Sequence, residues 1–239
     1  MGMIRAFPDN WQQAVEASFL GRLPDGTVGD LLDSAREVQV GAKAVLYPEA
    51  DGPADAHLVL VLDGLVRVYR TSRSGREITL RHARRGDVLG LPSLVAAISP
   101  AAAQALVPTN VVLMSSTKLR TRAQRDSQLA WAMLEEITGS LFNIQERLAH
   151  NVFAPVRSRV ARYLLEVAML SDGILVATVR HEDIAVAIGT VREVVARTLK
   201  AMRKERLISR GELGIALMDV PKLRALADAD QFREFRTRQ

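Results

Sequence analysis

The chain has 239 residues, of which 48% are hydrophobic and 25% charged, and its formal net charge is +5. These proportions are typical of a globular protein, and the length suits one large domain or two ordinary ones. The sequence contains no cysteine, which excludes disulfide bonds, thiolate metal sites, iron–sulfur clusters and cysteine nucleophiles.

No segment has the character of a membrane span. The longest apolar stretch, Leu94 to Val107, is interrupted by Ser99, Pro100 and Gln104 and is too short to cross a bilayer. The first residues also lack the apolar segment of a signal peptide. We therefore expect a soluble, cytoplasmic protein with no membrane partner.

The first 36 residues predict two short helices. Trp11, Val15 and Phe19 are spaced to share one face of a helix, and the Pro-Asp-Gly sequence at 24–26 ends that pattern. Val28 to Leu32 predicts the second helix.

The pattern then changes to the alternation that is typical of β-strands. His57 to Leu62 is a continuous apolar strand, and Asp63-Gly64 is a strong signal for a hairpin that returns along Leu65 to Tyr69. Further strands follow as far as Val107 to Met114, and Leu119 closes the set. Short strands with turns at this spacing predict an all-β roll or barrel.

The Ala-rich segment from Leu94 to Leu106 is unusual within this set of strands. Pro100 would break a helix that ran through it, so we predict a short helix, a break and then a strand. His57 and His82 are isolated in the sequence, and a histidine of this kind more often has a structural or solvated role than ligates a metal or haem.

A long helix is predicted after Asp126, with apolar residues that step by 3, 4, 3 and 4. This narrow stripe is typical of a helix that pairs with a copy of itself, and it predicts a parallel homodimer. The alternative is a single amphipathic helix packed on its own core. The predicted dimer interface consists of Leu134, Ile137, Leu141, Ile144 and Leu148.

Pro155 predicts a hinge after this helix, and another helix follows from Val156 to Leu170. A strand is expected at Ile174 to Val179. Near the end of the chain, residues 207–217 predict a small hairpin that turns at Arg210-Gly211-Glu212, followed by a short helix that begins at Pro221. We expect the polar tail, residues 231–239, to be mobile.

Between these elements, His181 to Lys200 predicts a helix, a tight turn at Gly189 and a second helix. Only glycine adopts positive φ without a steric penalty, which suits a sharp turn at that position. Residues 192–210 contain seven basic and two acidic side chains, enough to account for the whole net charge. The pattern is typical of a DNA-binding helix-turn-helix; an ordinary helical hairpin with a solvated charged face is the alternative.

Taken in this order, the chain resembles the Crp/Fnr family of bacterial transcription regulators over roughly residues 15–225. The most specific stretch is EDIAVAIGTVREVVARTLKAMRKERLIS, and the RRGDVLG turn also matches. The resemblance implies an α+β fold with a β-roll (a jelly roll of the cyclic-nucleotide-binding type), a long central dimerisation helix and a C-terminal winged helix-turn-helix. The expected domains are residues 1–125, 126–153 and 154–239.

The resemblance also implies residue roles. Arg192, Glu193 and Arg197 match the family's base-reading positions, which implies half-sites like the family's GTGA core. Arginine donates to guanine O6 and N7, and glutamate accepts from cytosine N4. RNA polymerase is a further implied partner. The candidate phosphate contacts are His181, Thr190, Lys200 and Arg210.

The effector site departs from the family's cyclic-nucleotide pattern. Leu91 stands where those members have a ribose-binding glutamate, and Ser99-Pro100-Ala101 stands where they have the phosphate-binding Arg-Ser/Thr-Ala. No charged residue lies between Asp87 and Lys118, and burying a phosphate without a cation is costly. We therefore expect no cyclic nucleotide bound in the usual way, and no cofactor. An apolar ligand, or none, fits this degenerate pocket better than haem, since no histidine lies in this segment.

The sequence predicts a transcription regulator that binds a palindromic DNA site as a homodimer. The alternative is a sensor of haem or an apolar small molecule that signals through protein contacts, with weak or degenerate DNA binding. We expect no enzymatic activity, because the sequence has no clustered acid/base pair, nucleophile elbow, P-loop or metal motif. His181-Glu182-Asp183 is better explained as the solvated first turn of a helix.

Overall fold

The computed structural model describes residues 7–49, 57–75, 77–96, 98–211 and 214–228. The chain divides into two compact units, with the boundary between Ile144 and Gln145. That boundary lies inside the longest helix. Each unit is described below by itself.

The first unit begins with the predicted helices. They are α1 (Asp9–Glu16), a 3-10 turn (Phe19–Arg22) and α2 (Asp25–Leu32). Trp11 is buried on the inner side of α1, and its indole Nε1 donates to Glu37 Oε2 at 2.6 Å. This contact joins the helical segment to the first strand.

Two four-stranded antiparallel sheets form the β-roll. Their strand orders are β1-β8-β3-β6 and β2-β7-β4-β5, and the predicted roll is thereby confirmed. The strands are β1 (Arg36–Val40), β2 (Val45–Tyr47), β3 (Leu58–Asp63), β4 (Val66–Thr71), β5 (Glu77–Ala83), β6 (Val88–Leu89), β7 (Ala102–Ala105) and β8 (Thr109–Met114).

The strand β3 is buried on both faces and therefore separates two apolar clusters. Val59 and Val61 belong to the cluster between the sheets. Leu58, Leu60 and Leu62 point the other way, into a cluster that includes side chains of α1 and α2. The alternation of side chains along a strand explains why one continuous apolar run serves both.

The prediction of a hairpin at Asp63-Gly64 is wrong. β3 pairs with β6 and β8, whereas β4 pairs with β5 and β7, so this turn carries the chain from one sheet to the other. Both edges of β3 are already occupied, which leaves no place for β4 beside it. Instead, β4 forms a hairpin with β5, the next strand along the chain.

The segment around Pro100 is confirmed as helix, break and strand, because α3 (Leu91–Ala96) precedes β7. Leu119 was predicted to close the set of strands, and that prediction is wrong. It lies in α4 (Ser116–Ala123), where it is buried. Ser115 caps this helix by accepting a hydrogen bond from the backbone N of Lys118 at 3.2 Å, which satisfies a donor of the first turn.

The helix α5 (Ser127–Phe153) begins in the first unit and ends in the second, and Pro155 separates it from α6 (Val156–Val167). The remaining elements form the predicted winged helix-turn-helix, with a sheet in the order β11-β12-β10-β9. Glu212 of the wing and the tail at 231–239 lie outside the described residues. These elements are β9 (Met169–Ser171), β10 (Ile174–Ala177), α7 (His181–Ile188), α8 (Arg192–Lys204), β11 (Ile208–Arg210), β12 (Ile215–Leu217) and α9 (Val220–Ala227).

No helix in the described part of the chain is long and apolar enough to cross a membrane.

The sheet-to-sheet turn at Gly64 allows a direct test of the roll. Gly64 has φ +107°, and an added Cβ would lie 2.4 Å from Thr109 Oγ1 and 2.8 Å from Thr109 Cα. We expect Gly64→Ala to lower the free energy of unfolding by about 2 kcal/mol or more, since it adds both backbone strain and overpacking. Urea unfolding followed by circular dichroism measures this change.

Gly29 in α2 is the matched control, because a Cβ there meets nothing within 4 Å. Gly29→Ala should raise the free energy of unfolding by up to about 1 kcal/mol, as expected for glycine in a helix. Equal effects of the two substitutions would contradict the close approach at Gly64.

Candidate nucleic-acid interface

The turn between α7 and α8 is built on Gly189. This residue follows Ile188 in the left-handed conformation, with φ +66°, and Thr190 N donates to Ala185 O at 2.9 Å. Val191 is extended and α8 begins at Arg192. The predicted helix, tight turn and helix are confirmed, although the second helix continues to Lys204.

The packing of α8 decides which of its sides is exposed. Val195, Leu199 and Met202 are fully buried along one side. Residues four and three apart lie on one face of a helix, so the opposite side carries the polar residues. The exposed charged residues of that side are Glu193, Arg197, Lys200 and Lys204. Arg192 lies in line with Val195 and Leu199, but it is the first residue of α8 and is exposed at the end of the helix. All three predicted base-reading residues are therefore exposed.

The first residue of α8 is held by an ion pair. Arg192 Nε lies 2.7 Å from Oε1 of Glu182, the second residue of α7, and the two side chains are 62% and 53% exposed. Asp183, the next residue of α7, instead accepts hydrogen bonds from the backbone N and the guanidinium of Arg180. The two acidic side chains of this turn therefore have different arginine partners.

The predicted phosphate contacts lie at four places in the second unit. His181 is the first residue of α7 and Thr190 lies in the turn, and both are half-buried. Lys200 is exposed on α8, and Arg210 is exposed at the end of β11, where the wing turns. Backbone and side-chain donors in such positions are typical contacts to a DNA backbone.

Two arginines of α6 hold the helix-turn-helix in place. Arg159 Nη1 donates to Ile188 O at 2.6 Å and to Asn151 O at 3.1 Å, and so joins the last turns of α7 and α5. Arg157 Nη1 donates to Glu205 Oε1 at 2.8 Å, just after α8. This hydrogen bond lowers the pKa of the Glu205 carboxyl. Both helices are therefore fastened to α6 at their carboxyl ends.

The five residues of the predicted dimer interface differ in their exposure. Leu134, Leu141 and Leu148 are 51%, 51% and 65% exposed. Ile137 and Ile144 are half-buried, and Ile137 packs against the core of the first unit. The exposed leucines repeat every seven residues, so they lie on one side of α5.

The first unit contains a cavity of about 280 Å³ between the β-roll and α5. Its lining is mostly apolar and includes Leu91 and Pro100, two of the three residues predicted for the degenerate effector pocket. Ser99 is not part of the lining; it is buried, and its hydroxyl donates to Ala101 O. Ile137, Leu141 and Ile144 line the same cavity from α5.

Five polar residues that line this cavity were not predicted from the sequence: Tyr47, Arg81, Ser93, Glu136 and Ser140. Arg81 Nη2 donates to Val88 O at 3.1 Å, and Nη1 lies 3.5 Å from Asp87 Oδ1. Burial raises the pKa of Tyr47 to about 12 and also raises the pKa of Glu136.

Arg81 precedes the uncharged segment between Asp87 and Lys118, and Glu136 comes from a distant helix. Only the folded chain brings the two together. In the described residues, no three histidine, aspartate or glutamate side chains form a group that could hold a metal ion.

Comparison with known proteins relates both units to regulators. A model described as a Crp-like helix-turn-helix domain matches residues 158–226, and one described as a cyclic nucleotide-binding domain matches residues 37–126. The transcriptional regulator LdrP of Thermus thermophilus is 35% identical over 167 residues, which are 67% of this chain and 82% of LdrP.

Solved structures agree with these matches. FixK2 from Bradyrhizobium japonicum aligns with a TM-score of 0.71 at 25% identity, covering 82% of this chain and 99% of FixK2. TTHA1359, a CRP/FNR family transcriptional regulator from Thermus thermophilus, aligns with a TM-score of 0.67 at 26% identity, covering 81% and 98%.

The role of Arg159 can be tested by removing its hydrogen bonds while keeping its stem. We expect Arg159→Met to lower the free energy of unfolding by about 1–3 kcal/mol, because the carbonyls of Ile188 and Asn151 lose a charged donor. Urea unfolding of the full chain measures the loss. Arg162→Met, at an exposed site of the same helix, is the control and should change stability by less than about 0.5 kcal/mol. Equal losses in the two variants would refute the role of Arg159.

Proposed function

This chain belongs to the Crp/Fnr family of transcription regulators, and from that premise we propose that it binds a palindromic DNA site as a homodimer. DNA-binding regulation follows from the family itself. The observation that carries the finer proposal is the exposure of three residues of α8: Glu193 and Arg197 lie opposite the buried side, and Arg192 is exposed at the first position of the helix.

The chemistry of these three residues suits the edges of G·C base pairs in the major groove. The two arginines donate in pairs to guanine O6 and N7, and Glu193 accepts from cytosine N4. We therefore propose half-sites like the GTGA core of the family. The proposed phosphate contacts are made by His181, Thr190, Lys200 and Arg210. Such contacts orient a protein on DNA but do not distinguish between bases.

The dimer proposal is supported by the exposed leucines of α5. Leu134, Leu141 and Leu148 would be covered by the same residues of a second copy, as in a parallel coiled coil. A homodimer would present two copies of α8, as recognition of two half-sites about 34 Å apart, one turn of B-DNA, requires. The proposed domains are residues 1–125, 126–153 and 154–239.

For the β-roll, we propose that cyclic nucleotide is not bound in the usual way. Leu91 offers no acceptor to a ribose hydroxyl, and the cation of the cavity, Arg81, is engaged by Asp87 and Val88 O. The predominantly apolar lining suits an apolar small molecule. RNA polymerase is the proposed protein partner and the cytoplasm the proposed location.

A second candidate function is favoured by the cavity itself. In this alternative the protein senses haem or an apolar molecule and signals through protein contacts, with weak or degenerate DNA binding. The two functions differ in a selection on random DNA duplexes, with and without candidate effectors. A palindromic motif supports the regulator, and recovery of no motif supports the alternative.

The base-reading residues are tested on the selected duplex. Arg192→Ala and Arg197→Ala should each weaken binding by about 1–3 kcal/mol and relax the preference at one base position. Fluorescence anisotropy on the duplex and its single-position variants, at one fixed salt concentration, measures both effects. Arg224→Ala removes an exposed cation from α9 and is the control, which should leave the base preferences unchanged. Wild-type preferences in both α8 variants would refute the assignment.

The dimer is tested with substitutions that avoid the cavity. Leu134→Asp combined with Leu148→Asp should give a monomer in sedimentation velocity, because each charge would be buried against its copy. Asn143→Asp is the control on the same helix, since residue 143 is exposed and lies on nearly the opposite side from Leu134. A dimer that persists in the double variant would rule out this side of α5 as the interface.

A further inference from the structure

The ion pair between Glu182 and Arg192 connects the first turns of the two helices of the helix-turn-helix. Glu182 is the second residue of α7 and Arg192 the first residue of α8. The closest atoms of the pair are Arg192 Nε and Glu182 Oε1, which lie 2.7 Å apart. Since a guanidinium has five N–H donors and Nε carries only one, the pair leaves the donors of Nη1 and Nη2 for other acceptors.

The remaining donors have the geometry that a guanine requires. Nη1 and Nη2 form the outer fork of the guanidinium, which matches two neighbouring acceptors such as guanine O6 and N7. We propose that Glu182 is a positioning residue, which holds Arg192 by Nε so that its outer fork is presented to guanine and thereby raises sequence specificity. This inference rests on the proposed function of α8 as the DNA-reading helix.

The physical reason lies in the freedom of the arginine side chain. Arg192 is 62% exposed and stands at the beginning of α8. An arginine in this position samples many rotamers, and binding a base restricts the side chain to one of them. An acceptor that already restricts the guanidinium lowers this entropic cost of binding, but only for the base that fits the restricted orientation. A flexible arginine can instead contact guanine, other bases or phosphates with more similar binding energies.

The two neighbouring acidic residues have other contacts or another proposed role. Asp183 is engaged by the guanidinium and backbone of Arg180. Glu193 is the neighbour of Arg192 on α8 and is itself proposed to read a base. An exposed ion pair adds little to fold stability, so the consequence of this pair is expected in recognition.

A competing effect must be separated from this one. The carboxylate of Glu182 also repels DNA phosphates, and its removal would strengthen binding to every sequence by the same factor. Positioning predicts a different result, because it acts only at the base pair that Arg192 reads. The two effects can therefore be distinguished by comparing base preferences rather than affinities.

The test is a double-mutant cycle with Glu182→Ala, Arg192→Ala and the combined variant. Each protein, as the full chain, is titrated with the selected duplex and with duplexes changed at one position. The positions read by Arg192 and Arg197 are identified from the Arg192→Ala and Arg197→Ala profiles. Circular dichroism confirms that all variants are folded.

We expect Glu182→Ala to lower discrimination at the Arg192 position by roughly fivefold or more, and to leave the Arg197 position unchanged. In the Arg192→Ala background the same substitution should have no effect on discrimination. An equal change at both positions, or the same change in both backgrounds, would overturn the positioning role.

The outcome also separates this inference from the proposed function. If the wild-type protein shows no base preference at all, the DNA-reading role of α8 fails, and the positioning role fails with it. If the wild-type preference exists and survives Glu182→Ala, only the positioning role is overturned.

Discussion

Burial of one side of α8 is the constraint on which the proposed DNA-reading surface depends. Val195, Leu199 and Met202 can leave water only if that side of the helix packs inward. The opposite side, with Glu193 and Arg197, must then face outward. The turn at Gly189 and the arginines of α6 set the position of the helix, but the apolar residues alone decide its rotation about its own axis.

Local patterns in the sequence predicted the elements well and their partners less well. The helix-turn-helix, the wing and the hinge at Pro155 follow from periodicity, proline and glycine, which act within a few residues. Asp63-Gly64 has the local chemistry of a hairpin, yet β3 pairs with β8 from far along the chain. Leu119 was misplaced because one apolar residue after a strand carries no periodicity of its own.

The same difference between local patterns and distant partners holds for the candidate sites. The residues proposed to contact DNA on α8 lie within one helix, so the sequence pattern placed them together, and the family resemblance implied their roles. Arg81 and Glu136 of the cavity come from β5 and α5, and no local signal joins them. On α5, the 3-4-3-4 pattern located the apolar side. It could not distinguish residues that are exposed from those that pack within the same chain, such as Ile137, which contacts the core of the first unit.

The contacts of Arg159 have a mechanical consequence. One nitrogen holds the last carbonyl of α7 and a carbonyl near the end of α5, at 2.6 and 3.1 Å. A hydrogen bond is lost when its atoms separate by a further fraction of an ångström. Gradual sliding of one helix end past the other is therefore resisted. Separating the two helix ends would require the guanidinium to release one of the two carbonyls.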